Sequence, residues 1–274
     1  MRGSLTAKFH KLDSGFLALR EEPRPQPPST SAVSIEIAEP PPSDASQGTP
    51  SITVCVATFG TERWREAGRR AFESLLNQSD PPNEIIWVHG ESLAHARNTA
   101  GLVARSEHLV FVDADDRLDR DYVRHMRPMV QPGRLVQPAQ SLSGRQGTFV
   151  AQPLDLRVKN FLIIGTAVPR ELFCQVGGFR TWDALEDWDL WVRCWLAGAS
   201  LGVAEQAIYV IGDHRDSPGR NQRSSWLLKR MIRRSWNHLP FEFGGLRQPS
   251  LADELIRVSA GASHRRVGPP PAAH

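Results

Sequence analysis

Two groups of carboxylates have the spacing of reactive chemistry. Asp113, Asp115 and Asp116 put three acids into four residues, and Glu186 and Asp187 stand side by side further along. Carboxylates packed this closely repel one another unless a cation, water or hydrogen bonds screen them. A hard divalent ion with oxygen ligands, Mn²⁺ or Mg²⁺, is the simplest compensation, and such ions are often shared with substrate phosphates. The other reading of the first group is a solvated acidic turn that caps a helix, a place where Asp is favoured. The second group fits a general base near a helix N-terminus, or an acidic cap that complements the helix dipole.

The flanking sequence supplies the elements to position them. Leu109, Val110, Phe111 and Val112 run apolar up to Asp113, as a strand buried on both faces does. In open α/β sheets ligands bind beyond the carboxyl ends of such strands. Residues 52–57 (ITVCVA) predict an earlier buried strand. Trp64, Ala67, Ala71, Phe72, Leu75 and Leu76 then recur at helical spacing, and Asp80-Pro81-Pro82 ends that helix. Residues 84–88 (EIIWV) predict a second strand, 93–104 a second helix and 118–129 a third. Strand, helix, strand, helix, strand is the pattern of a parallel sheet covered on both faces.

Beyond it, strands are expected at 134–137 and 161–168, the rest of 128–160 reading as variable loop. Pro169 and Gly177-Gly178 bracket a helix over 170–176. Trp188, Trp191, Val192 and Trp195 then share one face of a helix that stops at Gly198, a stripe read as core packing.

Whole-chain composition narrows the class. The length allows one large core or two small ones, the net charge of +3 is too small to argue for nucleic acid, and the apolar and charged fractions are those of a globular protein. Cys55, Cys174 and Cys194 are widely spaced among apolar neighbours, with no metal-ligand or CxxC spacing, which reads as buried thiols in a reducing compartment. With no signal-like or membrane-spanning segment, a cytoplasmic protein is expected. Residues 1–50 include PRPQPPSTS and EPPPSDASQGTP and are expected to be a disordered tether. Residues 222–274 form a basic helix and tail in which Trp226, Leu227, Leu228, Met231 and Ile232 interleave with Lys229, Arg230, Arg233 and Arg234. That helix reads either as packed by its apolar side or, over 224–236, as a peripheral contact with anionic lipid.

Five pieces in order, VCVATFG, AHARNTAG, VFVDADDRLDRDY, GGFR and LEDWDLWVR, resemble the family 2 glycosyltransferases of the GT-A fold. The likeness covers residues 51–221. It implies an α/β fold: a single GT-A-like (Rossmann-like) domain whose mostly parallel mixed sheet is covered by helices on both faces. It implies a metal-dependent, inverting transfer of a sugar, hexosyltransferase-like, from a nucleotide-diphospho-sugar donor to an acceptor hydroxyl. Position by position, the resemblance places Thr58 and Phe59 beside the nucleotide base, Arg97 toward the nucleotide or its diphosphate, and Asp113 near the ribose. It makes Asp115, with Asp116, the Mn²⁺ or Mg²⁺ ligands, brings His214 toward that metal, and makes Asp187 of the Glu186-Asp187 pair the catalytic base. Where the family commonly has an Asp after the second strand, this chain has His89-Gly90-Glu91-Ser92. Glu91 could substitute, or His89 could stack or hydrogen-bond, so the nucleotide stays open, as does the acceptor: sugar, lipid carrier, protein or modified nucleobase. Two other classes use similar residues. A nucleotidyltransferase would carry a Gly-rich basic loop after the first strand, where this chain has FGTERW. A non-catalytic nucleotide-sugar-binding protein would bind donor without turnover.

Overall fold

The computed structural model describes residues 33–41, 48–143, 147–151, 155–182, 184–212, 226–237 and 263–267. At its centre lie three parallel strands, β2 (Ile52–Phe59), β3 (Glu84–Gly90) and β4 (His108–Asp113). Their order is β4-β2-β3, with Ala57 opposite Asp113 on one side and Phe59 opposite Gly90 on the other. β-Branched and aromatic residues fill these strands, and Val54, Val56, Ile85, Ile86, Val88 and Val110 are fully buried.

Helix α1 (Glu62–Leu75) connects β2 to β3 and buries Ala67, Gly68, Ala71, Phe72 and Leu75. Helix α2 (Leu93–Val103) connects β3 to β4, and its N-cap Ser92 accepts a hydrogen bond from the His95 amide at 3.2 Å. The connections leave β2 and enter β4 from opposite sides, so the crevice between the ends of these two strands is a topological switch point, where ligands bind in open α/β sheets. The turn carrying Asp115 and Asp116 leaves β4 at that crevice.

The sheet extends to six strands. β1 (Ser34–Ala38) pairs antiparallel with β3, β9 (Ser263–Val267) pairs parallel with β1, and β7 (Val168–Pro169) pairs antiparallel with β4. A second sheet has the order β5-β8-β6, from Arg117–Leu118, Ser200–Ile211 and Arg134–Leu142. The remaining helices are α3 (Tyr122–Met126), α4 (Arg170–Gln175), α5 (Glu186–Leu196) and α6 (Trp226–Asn237). This is the mostly parallel α/β architecture expected, with helices flanking an open sheet.

Several expectations are corrected. Ser34–Ala38, placed in the tether, is a strand with Ile35 fully buried; the alternation of Ile35 and Ile37 with Ser34 and Glu36 is a strand signal hidden between Pro-rich flanks. The helix expected over 118–129 is shorter because Arg117 and Leu118 pair with Val210 and Tyr209 of β8, and only Tyr122–Met126 is α-helical. The run FLIIGTAV is buried yet mostly not strand. It turns at Ile164-Gly165, where a Cβ on Gly165 would lie 2.1 Å from the Tyr209 ring, and it pairs only through Ala167 and Val168. An apolar run reports burial, and its conformation is set by what packs on it. In the C-terminal segment α6 buries Ile232 and Trp236, in line with the packed reading of that helix, whereas the expected tail contains β9, which joins the main sheet. Cys55 and Cys194 are buried and Cys174 is half-buried, all three as free thiols. No helix among the described residues is long and apolar enough to cross a membrane.

Candidate active site

The acidic turn after β4 is held by the second sheet. Tyr209, buried in β8, donates its hydroxyl proton to Asp116 Oδ2 at 2.7 Å and accepts from the Asp113 amide at 3.3 Å. The Gly212 amide donates to Asp116 Oδ1 at 2.8 Å. Only glycine fits there, since a Cβ would lie 2.0 Å from the Asp115 carbonyl oxygen. Burial, followed by the Asp116 and Asp113 carboxylates, raises the Tyr209 phenol well above its usual range, so it stays a donor. Asp116 is thereby fixed at both oxygens. Asp113, Asp115 and Asp116 are all half-buried and offer ligand oxygens within 4.8 Å of one another. Hard oxygen donors at that spacing, partly open to solvent, fit a hard divalent cation.

The second acidic group opens α5. Leu185, its N-cap, has φ 64° and ψ 22°, the one positive φ outside glycine among the described residues. That left-handed turn aims Glu186 and Asp187 off the helix end, and such strain persists only where the surroundings enforce it. Asp187 is half-buried. Its Oδ1 accepts from the Trp188 amide at 2.7 Å and its Oδ2 from Asn160 Nδ2 at 3.1 Å. Burial pushes its carboxyl up to about 7 and the Glu186 charge adds to this, while the Trp188 amide, Arg97 and Asn160 pull it back. The third acid, Asp189, is fully buried and structural: it accepts from Arg193 Nε at 2.9 Å and from the Trp236 indole of α6 at 3.0 Å.

Arg97 joins the two groups. One terminal nitrogen reaches Asp113 Oδ1 and the other Glu186 Oε1, each at 2.6 Å. Burial opposes its charge, but the two carboxylates outweigh that and hold it firmly protonated. The guanidinium lies 4.9 Å over the Phe179 ring. With a side chain only 3% exposed and both ends engaged, Arg97 bridges the acids instead of facing open solvent as a phosphate contact. The next residue, Asn98, clasps the GGFR turn: its Nδ2 donates to the Phe179 carbonyl at 2.9 Å and its Oδ1 accepts from the Phe179 amide at 2.7 Å. Gly178, at φ 65°, leaves room for the Asn98 side chain, whose Oδ1 a Cβ would meet at 2.4 Å.

The structure therefore brings Arg97, Asp113, Asp115, Asp116, Glu186 and Asp187 together. Phe59 and Glu91 are exposed beyond the neighbouring ends of β2 and β3. Thr58 is 2% exposed and turned inward: it accepts from the Trp87 indole at 3.0 Å and meets His89 Nδ1 at 3.0 Å, so neither Thr58 nor His89 presents its polar atoms to a base. Burial first, then Arg65, lowers the His89 pKa and keeps it neutral. His214 lies outside the described residues. Asn160, in a loop with no periodic signal, could not be found from the sequence.

No family model matches the chain, and no curated protein does. Among solved structures, S. aureus TarS 1–349 in complex with UDP-GlcNAc is similar at 14% identity and a TM-score of 0.53, over 76% of this chain and 71% of that one. The 1–349 fragment in complex with UDP and TarS itself give TM-scores of 0.47, at 15% and 14% identity, each over 60% of this chain. The chain spans 37% of the length of that TarS structure and 60% of the UDP-bound fragment. The likeness to the UDP-GlcNAc complex shows the fold, the open, mostly parallel, Rossmann-like α/β sheet expected from the sequence.

Proposed function

We propose that the chain is a metal-dependent, inverting glycosyltransferase that moves a sugar, hexosyltransferase-like, from a nucleotide-diphospho-sugar to an acceptor hydroxyl. One observation carries this reading: Arg97 fixes a three-acid turn and a two-acid helix start at one crevice, at the switch point of the sheet. A shared fold with a protein crystallised with UDP-GlcNAc supports the donor class. In this reading Asp115, beside the pinned Asp116, would hold Mn²⁺ or Mg²⁺. When bound, the cation supplies charge neutralisation for a diphosphate leaving group. Phe59 offers an exposed ring and Glu91 a carboxylate for the nucleoside. Asp187 takes the acceptor proton. A carboxyl poised near 7, half-open and already oriented by two donors, suits a general base at neutral pH. One base acting in a direct displacement inverts the anomeric centre.

The test is a thermal-shift screen of nucleotide-sugars with Mn²⁺, followed by mass spectrometry of donor turnover. The expected result is a Mn²⁺-dependent rise in melting temperature with one donor, UDP-GlcNAc being the first to try, and consumption of that donor with inversion. A screen in which no nucleotide-sugar binds, or a product with retained configuration, would overturn the proposal.

A further inference from the structure

We propose that Asn160 is a positioning residue for Asp187 and that the C-terminal helix α6 holds it in place. The inference rests on the reading of Asp187 as the base. Residues 155–160 form a loop fastened at three points. The Trp188 indole donates to the Leu156 carbonyl at 2.6 Å. Arg233 of α6 donates to the Arg157 and Val158 carbonyls at 3.3 and 2.9 Å and lies 5.4 Å over the Trp188 ring. The Asn160 amide then reaches Asp187. Trp188, the residue after the base, is thus gripped by both loop and helix, and the Trp236 ring of α6 meets it edge-on at 5.1 Å.

The chemistry of the amide fits the role. Asn160 Oδ1 is buried without a partner among the described residues, so the side chain is held for its donor end alone. An unpaired buried carbonyl is costly and persists where the opposite end makes a stronger, charge-assisted bond. The amide fixes one oxygen of Asp187 and favours its ionised form, yet does not itself titrate and cannot replace the acceptor hydroxyl as proton donor. The charges that face Asp187 are Glu186 beside it and Arg97 from α2. The loop adds a neutral donor, which orients without changing the net charge of the site.

The test uses the full chain and needs no donor. Carboxyl ¹³C NMR titration of Asp187 is compared in wild type, Asn160→Ala, Asn160→Asp and Arg233→Ala. Loss of the donor should raise the midpoint by roughly one pH unit in Asn160→Ala, since a hydrogen bond to the charged form holds a pKa down. Asn160→Asp keeps the size, sets a carboxylate opposite and should raise the midpoint further, and Arg233→Ala should move it the same way by less. An unchanged midpoint in both Asn160 variants would overturn the proposal. Failure of the base reading would show separately, as undiminished donor turnover in Asp187→Asn, and would overturn the positioning role with it.

Discussion

Asp113, Asp115 and Asp116 stand on a turn after a strand and are gripped from the second sheet, whereas Glu186 and Asp187 open a helix and are gripped from a loop. The first group shares a half-buried turn, and Asp116 is satisfied at both oxygens by Tyr209 and Gly212. The second is partly withdrawn from water at the start of α5, so burial shifts the acidity of Asp187 itself. In the proposed reading these differing surroundings prepare carboxylates for different tasks, one group to share a cation and the other to accept a proton. Arg97 keeps the two apart in charge and together in space.

Removing the bridge is the most damaging way to break this comparison. Arg97→Ala leaves Asp113 and Glu186 facing one another beside a hole and should cost roughly 3 kcal/mol or more, read by urea denaturation. A change under about 1 kcal/mol would mean the pair is screened like an exposed ion pair.

Tyr209→Phe tests the first group alone. It removes the hydroxyl that holds Asp116 and should weaken Mn²⁺ binding by about tenfold, read by metal titration, because partners behind a ligand orient it. The titration midpoint of Asp187 should not move; a shift in it would show that the two groups are coupled beyond Arg97.

The smallest effect concerns stability at the second group. A carboxyl with a folded pKa near 7, above its unfolded value, makes the fold bind the proton more tightly than the unfolded chain does. Its contribution to stability is therefore present at acid pH and is lost as pH rises toward and through about 7. Asp187→Asn cannot ionise, so its melting temperature should exceed that of wild type at pH 8 and match it near pH 4. A variant less stable than wild type at pH 8 would contradict the raised pKa.

The central sheet was legible because β2, β3 and β4 are short β-branched runs closed by turn residues, and burial on both faces makes each one continuously apolar. The acid groups were legible as types and spacings. The partners that make them a site were not. Arg97 reads as a basic residue on a helix, and nothing local says that both its ends meet carboxylates from β4 and α5. Asn160 lies in a stretch without periodicity, far in sequence from the Asp187 it touches. Ser34–Ala38 and the long β8 were missed because pairing between distant segments decides their conformation, and local pattern does not record it. FLIIGTAV misled for the converse reason, since Tyr209, also remote in sequence, forces its turn.

The central claim, that one acid group serves the metal and the other the proton, is tested most directly by measuring donor binding and turnover side by side in Asp115→Asn and Asp187→Asn. Calorimetry and turnover with UDP-GlcNAc and Mn²⁺, with Glu186→Gln as control, separate the roles. Asp115→Asn should lose Mn²⁺-dependent binding, whereas Asp187→Asn should bind within a few-fold of wild type and lose turnover by at least ~10²-fold. Loss of donor binding in Asp187→Asn, or loss of turnover in Glu186→Gln alone, would contradict the account.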